Sequence, residues 1–201
     1  MQLTFPMILT LLRIALIPFL VLFFYAPYAW AGLATAAVFI LAAVTDWLDG
    51  HMARRMGLMS SFGAFLDPVA DKLMVATALV LLVQKNPQIL FTLSAAIIIG
   101  REIAISALRE WMAEMGKSGQ IKVSSLGKVK TIFQMTAISF MLYERDLLGV
   151  PLEATGLILL YMAAALTLWS MWVYLRAAWP AIIEAQETSP GGPDNDTPQD
   201  D

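Results

Sequence analysis

The stretch "DWLDGHMARRMGLMSSFGAFLDPVAD", residues 46–71, decides how the rest of this chain is read. It sets four aspartates, Asp46, Asp49, Asp67 and Asp71, between two strongly apolar runs. On a helix, Asp46, Asp49, Gly50, Ala53 and Arg54 follow an i, i+3, i+4, i+7, i+8 pattern and share one face. Gly63, Asp67 and Asp71, spaced by four, share a face of the next helix. Two helices joined by a short turn at 57–61 can therefore aim two carboxylate pairs at each other. Pro68 is easiest to place if that second helix has only just begun at Asp67.

Four carboxylates about 5 Å apart repel by roughly 3 kcal/mol per pair at an effective dielectric of 20, so a positive charge must sit among them. Carboxylate oxygens without nitrogen or sulfur partners select hard cations, Mg²⁺ or Mn²⁺ before Zn²⁺. The single histidine, His51, points roughly 140° away from Asp46 on a helical wheel and is left out of the site. The plainer alternative is a set of ordinary helix-end acids beside Arg54, Arg55 and Lys72. Two pairs interleaved with small residues argue against it, although Gly50, Ala53 and Gly63 would also suit close helix packing.

Outward from this segment, composition sets the class. Over 201 residues the chain is 59% hydrophobic and 14% charged, with a mean hydropathy of +0.69, well above a soluble domain and in the range of an integral membrane protein. Six helices are expected, at about 5–26, 31–57, 62–85, 88–115, 123–144 and 153–179, broken at Pro27, 57–61, 86–87, 116–119 and 149–151. The fold class is thus all-α, a polytopic membrane protein with six transmembrane helices. Some charge-free runs fall short of the roughly 20 residues needed to cross a bilayer, so those helices extend through charged positions, which at membrane depth are costly and usually functional. With the N-terminus inside, only Lys85 and Arg145 of the 13 basic residues lie toward the outer side, which turns the aspartates to the cytoplasm.

Six of the 16 acids and none of the bases lie from Glu184 onward, so the negative net charge belongs to that end. The expected division is a membrane domain at 1–183 and an acidic, disordered cytoplasmic tail at 184–201. The absence of cysteine excludes disulfides and thiolate chemistry.

Residues 46–71 match D-x2-D-G-x2-A-R-x8-G-x3-D-x3-D at every fixed position. On that motif the chain resembles the CDP-alcohol phosphatidyltransferases. Similarity to the phosphatidylglycerophosphate-forming bacterial branch extends through "LTLLRIALIPF", "REIAISALREWMAE", "GKVKT" and "LTLWSM", nearly all of the chain before the tail. The resemblance implies a bacterial inner-membrane enzyme that turns CDP-diacylglycerol and glycerol 3-phosphate into phosphatidylglycerophosphate and CMP. It implies two Mg²⁺ or Mn²⁺ ions held by Asp46, Asp49, Asp67 and Asp71, with Asp71 also accepting the proton of the attacking hydroxyl. Gly50, Ala53 and Gly63 would line the cytidine diphosphate pocket, with Arg54 near the phosphates or bracing the aspartates.

Thr10 and Arg13, on the first helix, could reach the same pocket, unless Arg13 merely snorkels to the membrane surface. An acceptor phosphate needs cations of its own, for which Arg101, Arg109, Lys128 and Lys130 are available. Arg101 and Arg109, eight apart, are nearly in line, whereas Lys128 and Lys130 could instead serve anionic lipid. Glu102 and Glu110 would pair with neighbouring bases. Membrane lipids are expected partners and nucleic acid is not; a homodimer stays open. Rival readings are a relative using inositol phosphate, serine or phosphatidylglycerol as acceptor, and a divalent-cation transporter. The transporter reading wants acids on both sides of a mid-membrane path, whereas here all four lie toward one face.

Overall fold

Among the described residues of the computed structural model, apolar runs punctuated by short breaks produce six helices. They are α1 Phe5–Phe24, α2 Ala31–Met56, α3 Ser61–Lys85, α4 Ile89–Glu114, α5 Ser125–Tyr143 and α6 Leu152–Glu187. The structure describes residues 5–56, 61–114, 125–147 and 149–187, and over short runs, notably 49–56 and 125–128, the backbone alone. Among the described residues there is no strand; an antiparallel pairing of Leu147 with Val150 closes the α5–α6 turn, where Gly149 takes a φ of +80°.

The expected boundaries agree with these to within a few residues, with one exception. Helix α6 runs on to Glu187 instead of ending at 179, because 181–187 (AIIEAQE) is made largely of good helix formers. Glu184 and Glu187, assigned above to the tail, are therefore helical, and residues 188–201 lie outside the described residues. Pro68 is also not at a helix start: α3 begins at Ser61 and carries Pro68 inside it, which forfeits one backbone hydrogen bond.

Helix α1 packs on α2 and α3, α6 packs on α5 and α4, and α2 and α3 meet α5 and α4 between them. The chain alternates direction, so the ends of α1, α3 and α5 come together. There Tyr25 hydrogen-bonds Gln84, Lys85 pairs with Glu144, and Arg145 donates to the carbonyl of Ala29. Alternation sends the start of α1, the end of α2, the start of α3, the end of α4, the start of α5 and the end of α6 to the opposite end. Asp46, Asp67 and Lys130 lie toward that end, whereas Lys85 and Arg145 lie at the first.

Packing is inverted relative to a water-soluble bundle. Small residues, with Ala36, Ala42, Ala70, Ala78, Ala137 and Ala163 all buried, share the contacts with large ones such as Phe39, Leu79 and Ile138, while Leu22, Ile89, Ile132, Trp169 and Trp172 are exposed. Close small-residue seams beneath a large apolar exterior are how helices associate in lipid. Buried hydroxyls are satisfied within their own helices, as in Thr35 to Ala31 O and Thr167 to Ala163 O. Helices α1, α4 and α6 are long and apolar enough to cross a membrane on their own, whereas the apolar part of α2 is shorter, Ala31–Asp46. The chain is a multi-pass membrane protein.

A close backbone-to-backbone seam tests this packing. A Cβ on Gly32 would lie 2.8 Å from the backbone oxygen of Tyr143, which cannot swing aside, whereas one on Gly100 would meet nothing within 4 Å. Gly32→Ala is expected to cost about 2 kcal/mol and lower the melting temperature in detergent by several degrees. Gly100→Ala should leave it unchanged or raised; equal melting temperatures would show that the α2–α5 contact is not close-packed.

Candidate active site

Arg13 is the first side chain that the fold explains. It sits on the face of α1 turned to α2 and α3 and is only 1% exposed. Its Nη1 lies 2.6 Å from Asp46 Oδ1 and 3.2 Å from Asp67 Oδ1, so one nitrogen ties the end of α2 to the start of α3. The snorkelling alternative is overturned, since the guanidinium turns inward to the aspartates. Thr10, one turn earlier, is buried as well, and Gly63 is partly exposed on α3.

Asp71, one turn beyond Asp67, faces a cavity of about 330 Å³ between α2, α3, α4 and α5. Asp46, Lys72, Glu102, Thr131 and Gln134 supply its polar lining, and residues such as Val75, Ile99 and Met135 the apolar remainder. That volume suits a small substrate or the head of a larger one. Asp71 makes no ion pair with any described residue and so offers the cavity an uncommitted carboxylate. The side chains of Asp49, Gly50, Ala53, Arg54 and Lys128, all singled out from the sequence, lie outside the described residues.

On the far wall a second charged cluster forms. Glu102 Oε1 accepts from Lys130 Nζ at 2.5 Å and Arg101 Nη1 at 3.3 Å, which joins α4 to α5. Lys130 and Arg101 are both buried, at 2% and 8% exposure, so neither is a lysine or arginine drawn to the surface by lipid headgroups. Arg101 Nη2 reaches Ser170 Oγ at 3.5 Å. The guanidiniums of Arg101 and Arg109 lie 5.7 and 5.4 Å from the centre of the Tyr174 ring, and Arg109 Nη2 donates to the Tyr174 hydroxyl at 3.1 Å. An aromatic face stabilises a nearby cation, so one tyrosine holds two like charges side by side.

The fold thus gathers the expected residues into two groups, Arg13 with Asp46 and Asp67, and Arg101 and Lys130 on Glu102 with Arg109 joined to Arg101 through Tyr174; Asp46 from the first group and Glu102 from the second line the cavity with Asp71. Ser170, Tyr174 and Gln134 were not among the candidates. Their spacing held a signal, since Gln134 follows Lys130 by four and Tyr174 follows Ser170 by four, each on one helix face.

Among the described residues no three acids converge as a ready metal site, because Arg13 Nη1 stands between Asp46 and Asp67. The donor chemistry nevertheless fits a hard divalent cation: among the described residues there are carboxylates from two helices, no nitrogen or sulfur ligand beside them, and no ion pair at Asp71.

Comparison with known proteins agrees with this architecture. The sequence matches the CDP-alcohol phosphatidyltransferase family over residues 3–172, and the chain belongs to that family. It is similar to proteins of Yersinia pestis (strain Pestoides F) and Salmonella choleraesuis (strain SC-B67), each 52% identical over 184 residues, and of Pectobacterium atrosepticum, 53% identical over the same length. Each match covers 92% of this chain and 100% of the relative, and each relative is named CDP-diacylglycerol--glycerol-3-phosphate 3-phosphatidyltransferase.

Removing Arg13 should be costly in two ways. In protein stripped of divalent ions, Arg13→Met leaves Asp46 and Asp67 facing each other without their shared cation, which is expected to destabilise it by about 2 kcal/mol, less than a fully buried pair because both carboxylates reach solvent. Thermal unfolding in detergent should show the loss, and Arg13→Lys should restore only part of it, since an ammonium lacks the planar fork. A melting temperature unchanged in Arg13→Met would show that the bridge holds nothing.

Proposed function

We propose that the protein transfers the phosphatidyl group of CDP-diacylglycerol to glycerol 3-phosphate, giving phosphatidylglycerophosphate and CMP. The observation that carries this reading is a cavity with Asp46 and Asp71 on one wall and, on the other, Glu102 with the basic residues tethered to it. The full-length likeness to relatives named for this reaction supports the acceptor assignment.

In this reading Asp46, Asp49, Asp67 and Asp71 hold two divalent ions, Mg²⁺ or Mn²⁺. Bound there, the ions would supply positive charge to oxygens on which negative charge builds during displacement at phosphorus. Asp71, uncommitted and facing the cavity, takes the proton of the acceptor hydroxyl as its oxygen bonds to the phosphatidyl phosphorus and the bond to CMP breaks. Gly50, Ala53 and Gly63 give the flat cytidine diphosphate group room, with Thr10 and Arg54 beside it. Arg13 keeps Asp46 and Asp67 in register. Arg101, Arg109 and Lys130, with Lys128 beside them, bind the acceptor phosphate, for which planar guanidiniums are well shaped.

All six helices cross the bacterial inner membrane, and the aspartate end faces the cytoplasm. The lack of native cysteine allows a direct check: Ser60→Cys should react with an impermeant thiol reagent only from the cytoplasmic side and Tyr28→Cys only from the other. Labelling of both from one side would reject the topology.

The reaction is tested with purified protein, CDP-diacylglycerol and a panel of labelled acceptors. Glycerol 3-phosphate alone should release CMP, excess chelator should stop it, and Asp46→Asn or Asp67→Asn should lower kcat by about 100-fold or more. Turnover in chelator, or an equal rate with serine, would reject the metal or the acceptor assignment respectively. Arg109→Ala should raise KM for glycerol 3-phosphate about tenfold and leave KM for CDP-diacylglycerol nearly unchanged; matched increases would rule out a separate acceptor pocket.

A further inference from the structure

One polar side chain in the cavity wall is used by neither charged cluster. Gln134 is 4% exposed, lines the cavity together with Asp71 and Glu102, and stands one helical turn beyond Lys130 on α5. Its Oε1 has no hydrogen-bond partner among the described residues. A buried amide oxygen without a partner is destabilising, and methionine or leucine would fill the same space without that penalty. A glutamine placed there is therefore suited to a partner that arrives with a ligand.

We infer that Gln134 sets specificity for the acceptor's spare hydroxyl: its amide oxygen accepts a hydrogen bond from the hydroxyl of a polyol phosphate that does not attack phosphorus. The inference rests on the reaction proposed above and adds a subsite to it. An acceptor whose phosphate meets the basic cluster and whose nucleophilic hydroxyl meets Asp71 must lay its middle carbon across the wall between them. The cavity lining is otherwise apolar at residues such as Val75, Ile99 and Met135. Of the carboxylates that line the cavity, Glu102 is engaged by Lys130 and Arg101, Asp46 is engaged by Arg13, and Asp71 takes the nucleophile's proton; Thr131 is already engaged as well. Gln134 remains as the neutral oxygen for a second hydroxyl, and an acceptor lacking that hydroxyl would leave the oxygen as unsatisfied as before.

The experiment compares wild type with Gln134→Leu on two acceptors, glycerol 3-phosphate and 3-hydroxypropyl phosphate, which lacks the middle hydroxyl. Wild type should prefer glycerol 3-phosphate by about tenfold in kcat/KM, the worth of one neutral hydrogen bond. Gln134→Leu should bring the ratio close to one by losing activity on glycerol 3-phosphate alone. KM for CDP-diacylglycerol should stay the same, and the melting temperature should be equal or higher. The same preference in both proteins, or an equal loss on both acceptors with a lowered melting temperature, overturns the role given to Gln134. If wild type makes no product from either acceptor, the reaction assignment itself fails and this inference falls with it.

Discussion

One guanidinium nitrogen, Nη1 of Arg13, holds three helices in register at the working end of the molecule. Without it, Asp46 and Asp67 would approach as like charges between the ends of α2 and α3. Ion pairs of this kind add little net stability compared with apolar packing, because both charges must leave water. Their effect lies in selectivity: only one rotation and height of α1 puts the nitrogen between both oxygens. The aspartate motif is thus incomplete without a residue far outside it, and the face on which Asp71 stands is set by a contact that Asp71 does not make.

The other half of the site obeys the same rule with the signs exchanged. Arg101, Arg109 and Lys130 would repel one another if brought together alone. Glu102 neutralises part of that charge, and the Tyr174 ring stabilises the two arginines from its face. Each cluster carries its own counter-charge, so the halves can flank one cavity without collapsing onto each other. Helices α4, α5 and α6 supply the basic half, α1, α2 and α3 the acidic half, and the alternating direction of the chain brings both to the same end.

Much of this was legible in the sequence, and what was not has a physical explanation. The helices could be read because apolar runs and Pro/Gly breaks are local signals. The shared face of Gly63, Asp67 and Asp71 could be read because helical spacing fixes it. Arg13 could not be assigned, since its partners lie 33 and 54 positions away and only tertiary packing distinguishes a buried bridge from a snorkelling side chain. Tyr174 and Gln134 were overlooked for a related reason: on strongly apolar helices a tyrosine or glutamine looks like an interfacial or packing residue until its neighbours are known. Pro68 misled because proline disfavours helix interiors, and here one lost hydrogen bond is outweighed by the packing of α3 against α1, α2 and α4.

Helix α6 also serves as a ruler. From Leu152 at one end, Tyr174 stands about 33 Å along the axis at 1.5 Å per residue, close to the thickness of a bilayer's hydrocarbon layer. If Leu152 marks one membrane surface, the arginines clipped to its ring sit near the other. A sugar phosphate can dock there without entering the oil, and a lipid can present its headgroup there without leaving it. The two reactants, which share no solvent, meet at a boundary whose position is measured out by a single helix.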